Sequence, residues 1–231
     1  MNLEEICSYA PQIRMDDLEP FRIRKIGYRV YTGSGPSDSF RREILLENIS
    51  RETCMAIEYA YFLDYDIQHL YDLEHIWIYL DHEGRITGTE GSFHGRYLSS
   101  TLTLEAGAEK AVLPGRNGLH VIMYSQPGKH AMMPDPQLFY LYPELMGACS
   151  TSAGIHGLDA PERFLKEIRI SDEENEKVKK YIRTHYAFTP SMHFHETVLS
   201  GQQYLPWEEL AEQIPGYLQE ELTHILQEQK E

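Results

Sequence analysis

Cysteine is scarce in this chain of 231 residues, which contains only Cys7, Cys54 and Cys149. An odd number of widely spaced cysteines indicates neither a disulfide framework nor a Cys-x-x-Cys metal pair. The sequence also lacks a run of about eighteen apolar residues and an apolar core near its acidic N-terminus. We therefore expect a cytoplasmic protein that is neither exported nor inserted into a membrane.

Basic residues are also few. The 21 Lys and Arg residues stand against 36 Asp and Glu residues, so the formal net charge is -15 at pH 7. Nucleic acids and anionic membrane surfaces carry negative charge themselves, which makes both poor partners for this chain. We expect a small polar molecule as the partner, and the sequence leaves the oligomeric state open.

Strand patterns fill the first two thirds of the chain, and helical patterns follow. The segment FRIRKIGYRVYTG begins with alternation, and TCMAIEYAYFLDYD combines aromatic residues with an absence of Gly and Pro. The later segments SDEENEKVKKYIRTHY and PWEELAEQIPGYLQEELTHILQEQK have helical spacing. These patterns predict a mainly β fold in a single domain, residues 1–231. Its antiparallel β-sandwich would cover about residues 9–135, with C-terminal helices over about 160–231 packed around it.

One strand-like stretch, DYDIQHLYDLEHIWIYLD, begins at Asp64 and contains five carboxylates and two histidines. Carboxylates are costly to bury unless they are paired, hydrogen-bonded or bound to a cation. Strand alternation would place Asp72 and Glu74 on one face, about 6 to 7 Å apart and within reach of one cation. His69 lies three positions before Asp72, and Asp66 ends the preceding strand together with Asp64. The stretch therefore predicts a divalent-metal site.

Histidines elsewhere in the chain extend this prediction. His94 in SFHGRY and His130 in PGKHAMM each lie at a strand end close to a glycine. Scaffolds often position reactive groups at such ends. Alternation turns His75 to the face opposite Asp72, so we interpret His75 as structural. His193 and His195 in MHFHE form a secondary candidate pair.

Four segments resemble, in the same order, segments of a known family. The heptapeptide QHLYDLE, residues 68–74, is similar to the GHRHDWE heptapeptide of the necrosis- and ethylene-inducing-peptide-like proteins. YAPQIRMDDLEPFRIRKIGY, SFHGRY and YSQPGKHA resemble other segments of that family and of the related vacuolar sorting protein family numbered sixty-two. The resemblance spans residues 9–131. Tyr71 and Leu73 stand where the family has its second histidine and its tryptophan.

This resemblance implies a β-sandwich that holds a divalent cation near the heptapeptide. The implied ligands, direct or through water, are Asp64 or Asp66, together with His69, Asp72, Glu74 and His130. A hard, oxygen-rich set favours Mg²⁺, Ca²⁺ or Mn²⁺, whereas several direct imidazoles would favour Zn²⁺ or Fe²⁺. The membrane attack of the family is not carried over, because the sequence lacks its secretion signal and disulfides.

Two classes of function remain open at this point. The first is a metal-dependent enzyme of hydrolase or lyase type, in which His69, His94 or Glu74 moves protons. The second is a non-catalytic protein that uses the same cation to bind a sugar or phosphate head group. We favour the enzyme, because carboxylates, histidines and a metal together suit acid–base or hydrolytic chemistry on a small polar substrate.

Overall fold

Two large β-sheets and a group of helices make up the computed structural model, which describes residues 1–102, 111–112, 116–117, 120–141 and 143–228. The strands are β1 (Gln12–Asp16), β2 (Ile23–Tyr31), β3 (Gly35–Pro36), β4 (Glu43–Ile44), β5 (Thr53–Tyr65), β6 (His69–Asp81), β7 (Ile86–Phe93), β8 (Arg96–Ser99), β9 (Thr101–Leu102), β10 (Ala111–Val112), β11 (Arg116–Asn117), β12 (His120–Ser125), β13 (Met132–Met133), β14 (Gly157–Leu158), β15 (Phe194–Glu196) and β16 (Tyr204–Pro206). The α-helices are α1 (Leu3–Tyr9), α2 (Leu46–Ile49), α3 (Pro143–Thr151), α4 (Glu162–Leu165), α5 (Asp172–Tyr186) and α6 (Trp207–Glu228). Short 3-10 helices cover Pro136–Leu141 and Gly201–Gln203.

The larger sheet has seven strands in the order β16-β2-β5-β6-β7-β8, with β14 paired to β6. Neighbours from β2 to β8 are antiparallel, whereas β14 and β16 join the sheet in parallel. The two central strands, β5 and β6, each have 13 residues. Both are rich in aromatic and β-branched residues, which pack well on a pleated surface. Tyr59, Tyr61 and Trp77 are fully buried there.

The smaller sheet has five strands in the order β11-β12-β1-β15, with β13 paired to β12. Strand β1 runs parallel to β12 and antiparallel to β15. Ile13 and Met123 of this sheet belong to the same buried core as Ile76 of β6, so the two sheets pack against each other. Gly91 permits their close approach, because a Cβ atom there would lie 2.3 Å from the backbone oxygen of Met132.

Helices α5 and α6 cover one side of the larger sheet. A capping box begins α5: the Ser171 hydroxyl accepts a hydrogen bond from the Glu174 N–H, and the Glu174 carboxylate accepts one from the Ser171 N–H. Helix α6 buries Leu210, Ile214 and further apolar residues at helical spacing. It packs closely on β2, since a Cβ atom on Gly27 would lie 2.9 Å from the Leu210 side chain.

The prediction of a mainly antiparallel β fold with helices in the C-terminal part is confirmed. The C-terminal part also contributes strands to both sheets, because β15 pairs with β1 and β16 pairs with β2. Sequence patterns did not predict these strands, since three residues are too few to show alternation. No helix in the described part of the chain is long and apolar enough to cross a membrane.

Candidate functional site

The turn between β5 and β6 holds a buried aspartate, Asp66. Its Oδ1 atom accepts hydrogen bonds from the backbone N–H groups of Gln68 at 2.6 Å and His69 at 2.9 Å. This local bonding fixes the carboxylate at the beginning of β6. Its Oδ2 atom contacts the ammonium group of Lys129 and lies 3.2 Å from His69 Nε2. The charge of Asp66 is therefore paired within the protein.

A second turn brings Lys129 and His130 to the same place. The Gln126 carbonyl accepts hydrogen bonds from the Lys129 N–H at 3.2 Å and from the His130 N–H at 2.7 Å. Gly128 and His130 have positive φ angles of 68° and 56°. Glycine adopts this conformation easily, whereas histidine is strained in it, and such strain is common at functional sites. The Gly128 N–H donates to Glu19 Oε2 at 2.7 Å, so the turn also anchors Glu19.

The His130 ring is fully buried between two carboxylates. Its Nδ1 atom lies 2.6 Å from Asp72 Oδ2, and its Nε2 atom lies 3.5 Å from Glu19 Oε1. Burial alone lowers the pKa of an imidazole. The hydrogen bond to Asp72 and the charge of Glu19 outweigh burial and raise the pKa of His130 to about 10. His130 is therefore a buried cation at neutral pH.

Glu74 is a half-buried carboxyl group beside Asp72. It accepts a hydrogen bond from the Ser92 hydroxyl, and the Ser92 oxygen accepts one from the His75 backbone N–H at 2.6 Å. Burial and the negative charge of Asp72 raise the pKa of Glu74 to about 8, although nearby cations act in the opposite direction. Most Glu74 side chains therefore carry a proton at pH 7.

His94 reaches these groups from the turn between β7 and β8, where its φ angle is 49°. Its Nε2 atom lies 2.9 Å from Oε1 of the buried Gln126. Within the described ranges, the Gln126 Nε2 atom has no hydrogen-bond partner. Partial burial lowers the pKa of His94, and the charge of Lys129 lowers it further. His94 is therefore mostly neutral at pH 7.

We call this group of side chains the β6 cluster; it comprises Glu19, Asp66, His69, Asp72, Glu74, His94, Gln126, Lys129 and His130. Six of the predicted site residues thus come together, and Asp64 does not. Asp64 still belongs to β5, two residues before the turn, and its carboxylate pairs with Arg24 at 2.8 Å. His75 lies on the opposite face of β6, where it hydrogen-bonds Ser39 and stacks on Trp77.

Sequence reasoning missed Glu19, Gln126 and Lys129. Lys129 directly precedes His130 in the segment GKHA, so its positive charge was a usable signal. Glu19 and Gln126 had no comparable local signal, because both join the cluster through contacts between distant segments. Glu19 contacts Gly128, and Gln126 contacts His94.

The cluster has donors that a hard divalent cation prefers, but their arrangement does not fit one. Lys129 contacts the Asp66 carboxylate, and the protonated His130 ring hydrogen-bonds the Asp72 carboxylate. A ring nitrogen must lose its proton before it can bind a metal. Throughout the part of the chain that the structure describes, no group of three or more His, Cys, Asp or Glu side chains is arranged to hold a metal ion. The metal stays a prediction from the sequence.

The secondary pair, His193 and His195, lies at the junction of β1 and β15. His195 Nδ1 lies 2.9 Å from Asp17 Oδ1, and the two side chains are 59% and 50% exposed. The His193 carbonyl accepts a hydrogen bond from the Asp17 N–H at 2.9 Å, and its own N–H donates to Ser191 Oγ at 3.1 Å. These contacts join β1 to the C-terminal segment, which is a structural role.

Comparison with known proteins adds little to this geometry. No family model and no curated protein matches the chain. A solved structure, the crystal structure of a triple mutant of NLPPya, is similar to this chain at 15% sequence identity and a TM-score of 0.32. The match covers 57% of this chain and 66% of that chain. A similarity of this size is a loose indication of a common fold, and it carries no argument about function.

Proposed function

We propose that the β6 cluster is the active site of an enzyme that transfers a proton to or from a small polar substrate. Glu74 is the group that gives or takes this proton. The observation that carries the proposal is the position of Glu74 beside the Asp72 carboxylate on one face of β6. Burial and the charge of Asp72 raise the pKa of Glu74 there to about 8. General acids and bases work best when their pKa lies near the working pH. Glu74 is half-buried, and in the proposed reaction the substrate reaches it from the side where Lys129 and His69 are partly exposed.

Asp72 and His130 form a hydrogen-bonded pair next to Glu74. His130 Nδ1 lies 2.6 Å from Asp72 Oδ2, and this contact helps to raise the pKa of His130 to about 10. Active sites commonly contain titratable groups whose pKa values the surroundings shift strongly, as they do for Glu74 and His130. In the proposed reaction, Glu74 serves as the acid at neutral pH. Asp72 does not exchange a proton with the substrate; its charge keeps the pKa of Glu74 high.

Lys129 and His69 supply further donors at the exposed side of the cluster. Their side chains are 13% and 17% exposed. In the proposed reaction, the Lys129 ammonium group stabilises negative charge that develops on a substrate oxygen, and His69 hydrogen-bonds the substrate. No step uses a metal, because the arrangement of the cluster does not fit one. The same donors favour a second function, binding of a sugar or phosphate head group without turnover.

A substrate screen tests the first function. The purified protein is incubated with small carboxylic esters, glycosides and phosphomonoesters, each with and without EDTA. We expect turnover of one of these classes that persists in EDTA and changes through a pKa near 8. Glu74→Gln should remove this turnover. Glu83→Gln is the matched control, because Glu83 lies in an exposed turn between β6 and β7 and should leave the rate unchanged.

Three results would separate the alternatives. A full rate in Glu74→Gln would contradict the role of Glu74. Loss of turnover in EDTA, with recovery on adding Mg²⁺ or Mn²⁺, would support the metal-dependent enzyme predicted from the sequence. Binding of a sugar or phosphate that Lys129→Met abolishes, without turnover of any class, would support the second function.

A further inference from the structure

A cavity of about 460 Å³ lies on the opposite face of β6 from the cluster. Tyr71, Leu73 and His75 line it from β6, and they alternate along the strand with Asp72 and Glu74 of the cluster. The segment 37–41 and the beginning of α4 form its other walls. Sites for small molecules commonly have volumes of about 300 to 1,000 Å³, so this cavity is large enough for one.

Two arginines bring positive charge to the cavity in an otherwise acidic protein. Arg41 and Arg163 line it and are both exposed. Arg163 donates to the backbone carbonyls of Asp38 at 3.4 Å and Ser39 at 3.1 Å. Neither arginine has an ion-pair partner among the described residues, whereas the Asp38 carboxylate is paired with Arg29 at 3.0 Å. The chain carries a net charge of -15, so two guanidinium groups that lack an ion-pair partner within the described residues indicate an anionic ligand for this cavity.

The hydrogen bonds of two lining serines, Ser37 and Ser39, decide which nitrogen of the His75 ring carries a proton. The buried Glu58 carboxylate accepts hydrogen bonds from the hydroxyls of Ser37 at 2.5 Å and Ser39 at 2.6 Å, and from Trp77 Nε1 at 2.7 Å. The Ser39 proton is thus committed to Glu58, so the 2.9 Å contact between Ser39 Oγ and His75 Nε2 places a proton on Nε2.

His75 Nδ1 is consequently the unprotonated ring nitrogen. It is buried and has no hydrogen-bond partner within the described residues. Burial and the charge of Arg163 lower the pKa of His75 to about 3, so the ring stays neutral at any ordinary pH. A buried acceptor without a partner is costly, and a ligand that donates a hydrogen bond would remove this cost.

Apolar and aromatic groups complete the lining. Phe40 is half-buried, and its ring lies edge-on to His75 with centroids 5.0 Å apart. Tyr71 and Leu73 present further apolar surface. We propose that this cavity binds a small aromatic carboxylate that also carries a hydrogen-bond donor. The carboxylate contacts Arg41 and Arg163, the aromatic ring packs on Phe40 and its neighbours, and the donor bonds His75 Nδ1.

The test uses three probes of nearly equal size: 4-hydroxybenzoate, benzoate, which lacks the donor, and 4-hydroxybenzamide, which lacks the charge. Isothermal titration calorimetry measures the dissociation constant of each. We expect 4-hydroxybenzoate to bind at least about tenfold more tightly than either other probe. In protein labelled with ¹⁵N-histidine, 4-hydroxybenzoate should also shift the His75 Nδ1 resonance, whereas benzoate should shift it much less.

Variants assign the binding to this cavity. Arg41→Gln should weaken 4-hydroxybenzoate binding by about tenfold without affecting the fold, because Arg41 is exposed and makes no ion pair in the described structure. Arg51→Gln, an exposed arginine outside the cavity, is the matched control and should bind as the wild type does. Glu74→Gln should also bind normally, so this proposal and the proposed proton transfer fail independently.

Three results would overturn the proposal. The first is no binding of 4-hydroxybenzoate at millimolar concentration. The second is equal binding of 4-hydroxybenzoate and 4-hydroxybenzamide, since the arginines would then contribute nothing. The third is an unchanged dissociation constant in Arg41→Gln together with an unshifted His75 Nδ1 resonance in the wild type.

Discussion

The substitution Asp72→Asn tests the buried ion pair of the β6 cluster. It removes the charge that lies 2.6 Å from His130 Nδ1 and nearly keeps the side-chain volume. His130 has no exposed surface, so solvent does not screen the loss. The substitution should therefore destabilise the protein, and the loss of stability should be larger at low pH than at high pH.

The size of the effect follows from the pKa of His130, which is about 10 in the folded protein against an ordinary value of 6.5. A group whose pKa rises on folding stabilises the protein fully below its unfolded pKa, and this stability is lost as the pH rises through the folded pKa. This rise in the pKa of His130 on folding contributes about 5 kcal/mol to the free energy of unfolding below pH 6.5, and about 4 kcal/mol at pH 7. Glu19 remains near the ring, so we expect Asp72→Asn to cost about 3 kcal/mol at pH 7.

Glu74 titrates in an overlapping range. The pKa of Glu74 rises from 4.5 to about 8 on folding. Glu74 therefore also makes the folded protein less stable as the pH increases from about 4.5 to about 8. Asp72 is a cause of that rise. The comparison should therefore be made between Glu74→Gln and the double variant Glu74→Gln with Asp72→Asn, which leaves His130 as the titrating group under study.

The assay is urea unfolding, followed by circular dichroism, at pH values from 6 to 10. Asp17→Asn is the control, because Asp17 pairs with His195 on the surface and such pairs contribute about 0 to 1 kcal/mol. The cost of Asp72→Asn should be largest near pH 6 and nearly absent at pH 10. A cost below about 1 kcal/mol at pH 7, or one that does not decrease towards pH 10, would refute this reasoning.

Three further substitutions test other parts of the account. Lys129→Met should lower the free energy of unfolding by about 3 kcal/mol at pH 7, because it leaves the buried Asp66 without its cation. Gly91→Ala should cost about 1 to 3 kcal/mol or more in urea unfolding, because its Cβ atom would lie 2.3 Å from the Met132 backbone oxygen. Leu222→Ala should cost about 2 to 5 kcal/mol and lower the thermal midpoint, because Leu222 of α6 is 1% exposed in the main hydrophobic core.

Matched controls exist for two of these variants. Lys166→Met changes an exposed lysine and should leave stability within about 0.5 kcal/mol of the wild type. Gly33→Ala places a Cβ atom where nothing lies within 4 Å, so it should not reproduce the loss in Gly91→Ala. Equal effects of Lys129→Met and Lys166→Met would contradict the pairing of Lys129 with Asp66. An unaffected Leu222→Ala would contradict the packing of α6.

Alternation along β6 predicted much of this site from the sequence. It placed Asp72 and Glu74 on one face, and the structure places His75 on the other, hydrogen-bonded to Ser39. Alternation holds although Tyr71 has a φ angle of 99°, because Leu70 and Asp72 on either side keep their antiparallel partners in β5. Periodicity depends only on neighbouring residues in the chain, so the sequence shows it without knowledge of the fold.

Charge pairing was not predictable in the same way. The sequence showed a group of carboxylates and therefore favoured a metal, but the cations beside them are Lys129 and His130. Both come from a turn more than fifty residues further along the chain. The choice between Asp64 and Asp66 also depended on the position of the turn. The strand β5 ends at Tyr65, which leaves Asp66 in the turn and Asp64 beside Arg24.

The pKa of Glu74 is the most direct test of the central claim that the β6 cluster performs proton transfer. Protein labelled with ¹³C at the glutamate side-chain carboxyl carbon is titrated from pH 3 to pH 10 by NMR, and the Glu74 resonance is identified by its absence in Glu74→Gln. We predict a midpoint near 8 for Glu74. Titration of Glu74 near 4.5, its ordinary value, would contradict the account.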